Sequence, residues 1–222
     1  VSFELLLSIL IAVPGFLLAI VCHESAHAWV ASRLGDPTAQ MLGRVSLNPT
    51  KHIDLWGTII LPLMLLFMSR GSMIFGYAKP VPVTSQNLRH PKRDSVLVSL
   101  AGPAANVLLA TVIILLAWLG QMLGVMENPG IRRVLQAAVN INLILAAFNL
   151  LPIPPLDGSE LVAAVLPGPW AYRYYRLAPY AFLILMGLYV TGLLRIIMIP
   201  IYIVLQLLLA PFGDPFQAGP ML

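Results

Sequence analysis

The sequence predicts an all-α polytopic membrane protein: about five to six transmembrane helices, a re-entrant segment, and a small extended or β region between the first two apolar segments. Three observations carry this prediction. Hydrophobic residues make up 59% of the 222 residues and charged residues only 10%, where a soluble domain has roughly 45–50% and about 25%. So few charges cannot cover a surface that faces water. Several long runs hold no charge at all, and the only sizeable polar stretch lies between Leu34 and Ser95.

The elements follow in order. Residues 5–22 are apolar apart from Ser8, and the run continues through a polar interruption to Leu34. Residues 96–126 are uncharged over 31 positions, 134–156 over 23, 177–194 over 18 and 196–213 over 18. A helical span needs ~20 apolar residues, so the first four runs can cross, and the last is short for a crossing. Leu55–Met68 has only 14 residues with Pro62 inside, a length that suits a re-entrant or interfacial piece. Gly43–Leu47 and Phe75–Val83 read as short extended segments, the second interrupted by Pro80 and Pro82 as on an edge strand. The chain starts at Val1 with no methionine, which suggests a missing N-terminal piece; its first run is too long for a cleaved signal peptide.

Composition also excludes several classes. Nineteen prolines and sixteen glycines fall without a period, which removes collagen-like readings. A single cysteine, Cys22, cannot make a disulfide framework or a cysteine-rich zinc site. The net charge of +4 sets topology in such a chain, so no nucleic-acid partner is expected.

Chemistry concentrates at His23-Glu24-Ser25-Ala26-His27. Helical residues four apart share a face with Cβ atoms ~5–6 Å apart, so both imidazoles reach one metal ion. Glu24, between them, is placed to act as general base toward water. Two histidines and a carboxylate in an apolar helix are expensive unless paired or metal-bound. A catalytic zinc site usually takes three protein ligands, so a third must come from elsewhere. Asp157 stands in Asn149-Leu-Leu-Pro-Ile-Pro-Pro-Leu-Asp157-Gly158, where prolines break a helix and free its carbonyls at membrane depth. It reads either as the third ligand or as a helix cap, and Glu160 is its rival.

HESAH together with NLLPIPPLDG resembles the site-2 protease family of intramembrane zinc metalloproteases, in which H-E-x-x-H on one membrane helix is paired with N-x-x-P-x-x-x-x-D-G on another. Gly102-Pro-Ala-Ala-Asn106 is similar to the family's G-P-x-x-N on the intervening helix. The likeness runs from about Leu5 to Leu166. It implies one zinc ion per chain held by His23, His27 and Asp157, Glu24 as catalytic base, and Asn149 and Asn106 as polar groups near the substrate. Each asparagine reads alternatively as an interhelical hydrogen bond. The implied activity is hydrolysis of a peptide bond within or near the transmembrane segment of a membrane protein substrate. The rivals are an inactive homologue that binds such substrates and a membrane metal transporter.

Both ligand-bearing helices must end on one side, which holds if Leu55–Met68 dips in without crossing. Lys and Arg then divide ten against three, placing a multi-pass protein in the cell membrane with its active site toward the cytoplasm. Counting back from Arg33 at 1.5 Å per residue puts His27 ~9 Å and His23 ~15 Å deep. Water must therefore enter through the protein, with Ser25 and the backbone near Pro152 as expected lining. Phe75–Val83 is expected to capture an unwound substrate by strand pairing or to pack over the site. His52 reads as a loop residue near the surface in preference to a fourth ligand. Residues 1–222 are expected to form a single domain, with a motif-bearing core over 1–166 and transmembrane helices over 167–222. The oligomeric state is left open by the sequence.

Overall fold

The computed structural model describes residues 3–61, 64, 68 and 79–216. Their architecture is helical, and among the described residues there is no β-strand. The long helices are α1 (Phe3–Leu34), α3 (Pro91–Met122), α4 (Pro129–Asn149) and α8 (Leu193–Leu209). Shorter helices are α2 (Thr38–Met41), α5 (Gly158–Val165), α6 (Gly168–Tyr175) and α7 (Ala181–Val190). Start signals are local. Pro91 and Pro129 open α3 and α4 where a missing N–H costs nothing, and the Asn128 side chain accepts from the Gly130 and Ile131 amides at 2.8 and 3.3 Å.

Helices α1, α3 and α4 pack pairwise into a three-helix body, and α8 leans on α4. Ala19, Ala28, Ala31, Ala110, Ala117, Ala146 and Ala147 are all fully buried. In lipid, association rests on close packing, so small side chains let the helix backbones approach. Ile113, Ile114, Val139, Leu143, Leu205 and Leu209 fill the space left between α3, α4 and α8.

Among the described residues, four helices are long and apolar enough to cross a membrane: Val13–Leu34, Pro91–Met122, Pro129–Asn149 and Leu193–Phe212. The uncharged runs suggest five to six spans, and of these runs 177–194 does not form one helix of spanning length. There Gly192, at φ +75°, ends α7 after ten residues. At 1.5 Å per residue α7 is ~15 Å long, about half a bilayer core. Gly43–Leu47 is a turn, not an extended segment: Gly43 takes φ +65° and Ser46 N–H turns back to Arg44 O. Leu55–Ile60 is a π-helical turn capped by Asp54, while most of 61–68 and all of 75–78 lie outside the described residues. Residues 79–84 are an irregular strap with no strand partner among the described residues.

Candidate metal centre

Helix α1 carries His23, Glu24 and His27 on its cavity side, as the i, i+4 spacing requires. The two imidazoles meet edge to face with centroids 4.7 Å apart. Helix α4 ends at Asn149, a run of turns follows, and Asp157 stands at the head of α5 without making a capping hydrogen bond. Its carboxylate points instead at the histidines, with Oδ2 3.2 Å from His23 Nε2 and 3.4 Å from His27 Nε2. The cap reading of Asp157 thus fails on geometry. Glu160, the rival, accepts a hydrogen bond from the Tyr175 hydroxyl at 2.7 Å.

The surroundings fix how the rings are oriented. His23 Nδ1 lies 2.6 Å from Asn106 Oδ1, and His27 Nδ1 lies 2.7 Å from Val98 O. Both partners only accept, so each Nδ1 carries the proton and each Nε2 presents a lone pair. Asn106 is itself held by its amide, which donates to Ala19 O at 3.1 Å and to Asn142 Oδ1 at 2.9 Å. Three lone-pair atoms thus converge within 4.8 Å of one another, and the buried Asp157 Oδ2 has no hydrogen-bond donor. A metal cation shared by the three atoms would satisfy them together. Two imidazole nitrogens and a carboxylate oxygen are a donor set that zinc takes.

Two glycines make room for this arrangement. A Cβ at Gly102 would lie 2.6 Å from His23 Nε2 and closer still to His27 Nε2. A Cβ at Gly158 would lie 2.7 Å from Leu151 O and would overlap the Leu150 carbonyl. Gly102 lets α3 back onto the imidazoles, and Gly158 lets α5 start against the turn that delivers Asp157.

The three side chains open on a cavity of about 830 Å³ between α1, α4 and α7. Its wall is mostly apolar, with Phe16, Ile20, Leu145, Phe148, Leu185 and Met186 among the lining residues. Its polar lining includes Glu24, Ser95, Ser99, Asn149 and Glu160. Ser25, expected there, points away and donates to Ser46 O at 2.6 Å. Asn149 lines the cavity, with one amide N–H on Leu145 O at 3.0 Å. Asn106, expected near the substrate, is instead fully buried behind His23. His52, expected near the surface, is fully buried too.

Two features had no warning in the sequence. Val81 N–H donates to Glu24 Oε2 at 3.0 Å, so a backbone amide of the strap reaches the carboxylate between the histidines. Asp36, fully buried just beyond α1, accepts from Thr84 N at 2.6 Å, Asn87 Nδ2 at 3.0 Å and Thr38 N at 3.1 Å. Burial by itself raises the Asp36 carboxyl, but donors from Thr38, Asn87 and Thr84 outweigh it and hold the group below its ordinary value.

Comparison with known proteins agrees with this site. The sequence profile of peptidase family M50 matches residues 11–186. "Putative zinc metalloprotease YwhC" of Bacillus subtilis is 35% identical over 181 residues, covering 80% of this chain and 78% of that protein. "Putative zinc metalloprotease Rip2" of Mycolicibacterium smegmatis is 32% identical over 161 residues, covering 67% of this chain and 54% of its own length. "Putative zinc metalloprotease MJ0611" of Methanocaldococcus jannaschii is 40% identical over 65 residues, which is 29% of this chain and 31% of that protein. No solved structure gives a significant match. The chain belongs to peptidase family M50, the site-2 protease family of intramembrane zinc metalloproteases.

Proposed function

We propose that His23 Nε2, His27 Nε2 and Asp157 Oδ2 hold one zinc ion, and that Glu24 is the general base that cuts a peptide bond in the membrane segment of a substrate protein. The observation that carries this reading is the convergence of three lone-pair atoms with no donor among them. Zinc held there supplies Lewis acidity, polarising a scissile carbonyl and making water more acidic.

The remaining work falls to the chain. Glu24, in the cavity wall beside both histidines, takes the proton from the attacking water and returns it to the leaving amine. Asn149 lines the same cavity and spends one N–H on Leu145 O, which leaves its second N–H to donate to a substrate carbonyl as negative charge develops. Asn106 acts at one remove, holding the His23 tautomer and ring plane. The apolar wall accepts side chains of an unwound membrane segment, and its polar lining admits water.

The chain sits in the membrane as a multi-pass protein with this site toward the cytoplasm. Asp157, just past the end of α4, meets α1 seven residues before α1 ends at Arg33 and Leu34, which supports both helices ending on one side. That arrangement favours a re-entrant course for Leu55–Met68, and with it the ten-to-three division of Lys and Arg. Residues 1–222 work as one catalytic unit, since α7 contributes Leu185 and Met186 to the cavity. A transporter would have no need of Glu24 between the histidines. An inactive binder would not retain ligands and base together.

The test is cleavage of a single-span substrate by detergent-purified protein, wild type beside Glu24→Gln, with zinc measured in both. The reading expects equal zinc and cutting by the wild type alone. Cutting by Glu24→Gln would contradict it.

A further inference from the structure

His52 is a buried polar side chain that the mechanism above does not use. It is fully buried, and its Nε2–H donates to Ser46 O at 2.7 Å while its Nδ1 finds no partner among the described residues. A buried acceptor left without a donor is costly, so its donor end must give something in return at this position. The donor end and the backbone of His52 show what it does.

Ser46 O receives two donors: His52 Nε2–H, and Ser25 Oγ–H at 2.6 Å. Ser25 follows Glu24 on α1, so His52 and the helix that carries the base grip one carbonyl. The His52 carbonyl in turn accepts Lys79 N–H at 2.9 Å, which fixes the start of the strap. Two residues on, Val81 N–H reaches Glu24 Oε2 at 3.0 Å. Pro80 and Pro82 flank Val81, hold their own φ and lack an N–H, so the strap is stiff and Val81 is its one donor over 80–82. Its far end is tied down where Thr84 N–H meets Asp36.

We propose that His52 is a positioning residue for catalysis: by anchoring both the loop under α1 and the start of the Lys79–Thr84 strap, it holds the Val81 amide against the Glu24 carboxylate. This rests on Glu24 being the general base. The strap thereby serves the base directly, in addition to walling the cavity with Pro80, Val81 and Val83.

The experiment compares full-length wild type, His52→Phe, His52→Gln, Val81→Pro and the double variant His52→Phe/Val81→Pro, reading kcat on a single-span substrate and zinc per chain. Phe keeps the ring volume and loses the Nε2 donor, while the Gln amide nitrogen is as many bonds from Cβ as His Nε2. Misplacing a reacting group by a fraction of an ångström costs roughly 10-fold or more, so His52→Phe should lose about that in kcat with zinc retained. His52→Gln should recover most of it. If His52 acts through the Val81 amide, adding His52→Phe to Val81→Pro should cost little more than Val81→Pro alone. Wild-type kcat in His52→Phe, no recovery in His52→Gln, or fully additive losses would each overturn the proposal. Glu24→Gln, run alongside, separates the two ideas: if it is inactive while His52→Phe is normal, only the role of His52 fails, and if it still cuts, the reading of Glu24 fails.

Discussion

Gly102→Ala is the smallest change that tests how the metal centre is built. The added methyl would lie 2.6 Å from His23 Nε2 and nearer to His27 Nε2, whereas ordinary contact begins at 3.4 Å. The rings must retreat by about 0.8 Å or more, roughly four times the ±0.2 Å over which ligand distances vary in working sites. They are not free to do so, because their Nδ1 atoms are held by Asn106 Oδ1 at 2.6 Å and Val98 O at 2.7 Å. Zinc affinity should fall by ~100-fold or more, at the upper end of what losing a supporting hydrogen bond does or beyond it. The helix should not suffer, since alanine is the better helix former by about 1 kcal/mol. Zinc per chain after dialysis against a weak chelator, with the detergent melting curve beside it, separates the two effects. Gly187→Ala, on α7 with nothing within 4 Å of the added Cβ, is the matched control and should keep its zinc. A Gly102→Ala protein with full zinc and full activity would refute the reasoning.

Three more outcomes follow from the same geometry. Asn106→Ala removes the acceptor that orients His23 and should weaken zinc by ~10–100-fold in competition with a chromogenic chelator, while leaving KM for substrate unchanged in the zinc-saturated protein. Gly158→Ala forces a methyl onto the Leu150 and Leu151 carbonyls, and should cost ~1–3 kcal/mol in thermal unfolding together with zinc occupancy, because Asp157 is its neighbour. Asp36→Asn puts an amide nitrogen among donors and should cost ~1–3 kcal/mol at neutral pH, read by melting. The Asp36 carboxyl is held below its ordinary 3.8 in the folded chain, so its contribution is complete above 3.8 and is lost as pH falls through the folded value. The gap between wild type and Asp36→Asn should therefore close only below pH 3.8.

The residues proposed to hold the metal were legible because their identities and spacing are themselves the chemistry. His23 and His27 need only a helix to share a face, and the prolines before Asp157 mark where α4 must end. What supports them was not legible. Val98 and Val81 act through backbone atoms that no side-chain pattern records. Asn106 stood out as a polar residue in an apolar run, but whether it faced substrate or His23 depended on how α3 packs on α1. Gly102 belonged to a recognised motif, yet its purpose shows only when a methyl is placed there. The run 177–194 was uncharged enough to suggest a span, and hydropathy gave no sign that Gly192 would adopt a left-handed conformation and cut it short. His52 was read as a loop residue ahead of the re-entrant segment, but that its side chain is buried and spends its Nε2 on Ser46 O depends on how the loop folds back, which no local pattern records.

X-ray absorption at the zinc edge of the purified, zinc-loaded protein tests the central claim most directly, because it sees the donors themselves. The account predicts nitrogen and oxygen donors only, at ~2.0–2.2 Å, with the scattering signature of two imidazoles, and the loss of one oxygen donor or of the metal itself in Asp157→Ala. A sulfur shell at ~2.3 Å, which only Cys22 beside His23 or a methionine could supply, or a signal with fewer than two imidazoles, would contradict it.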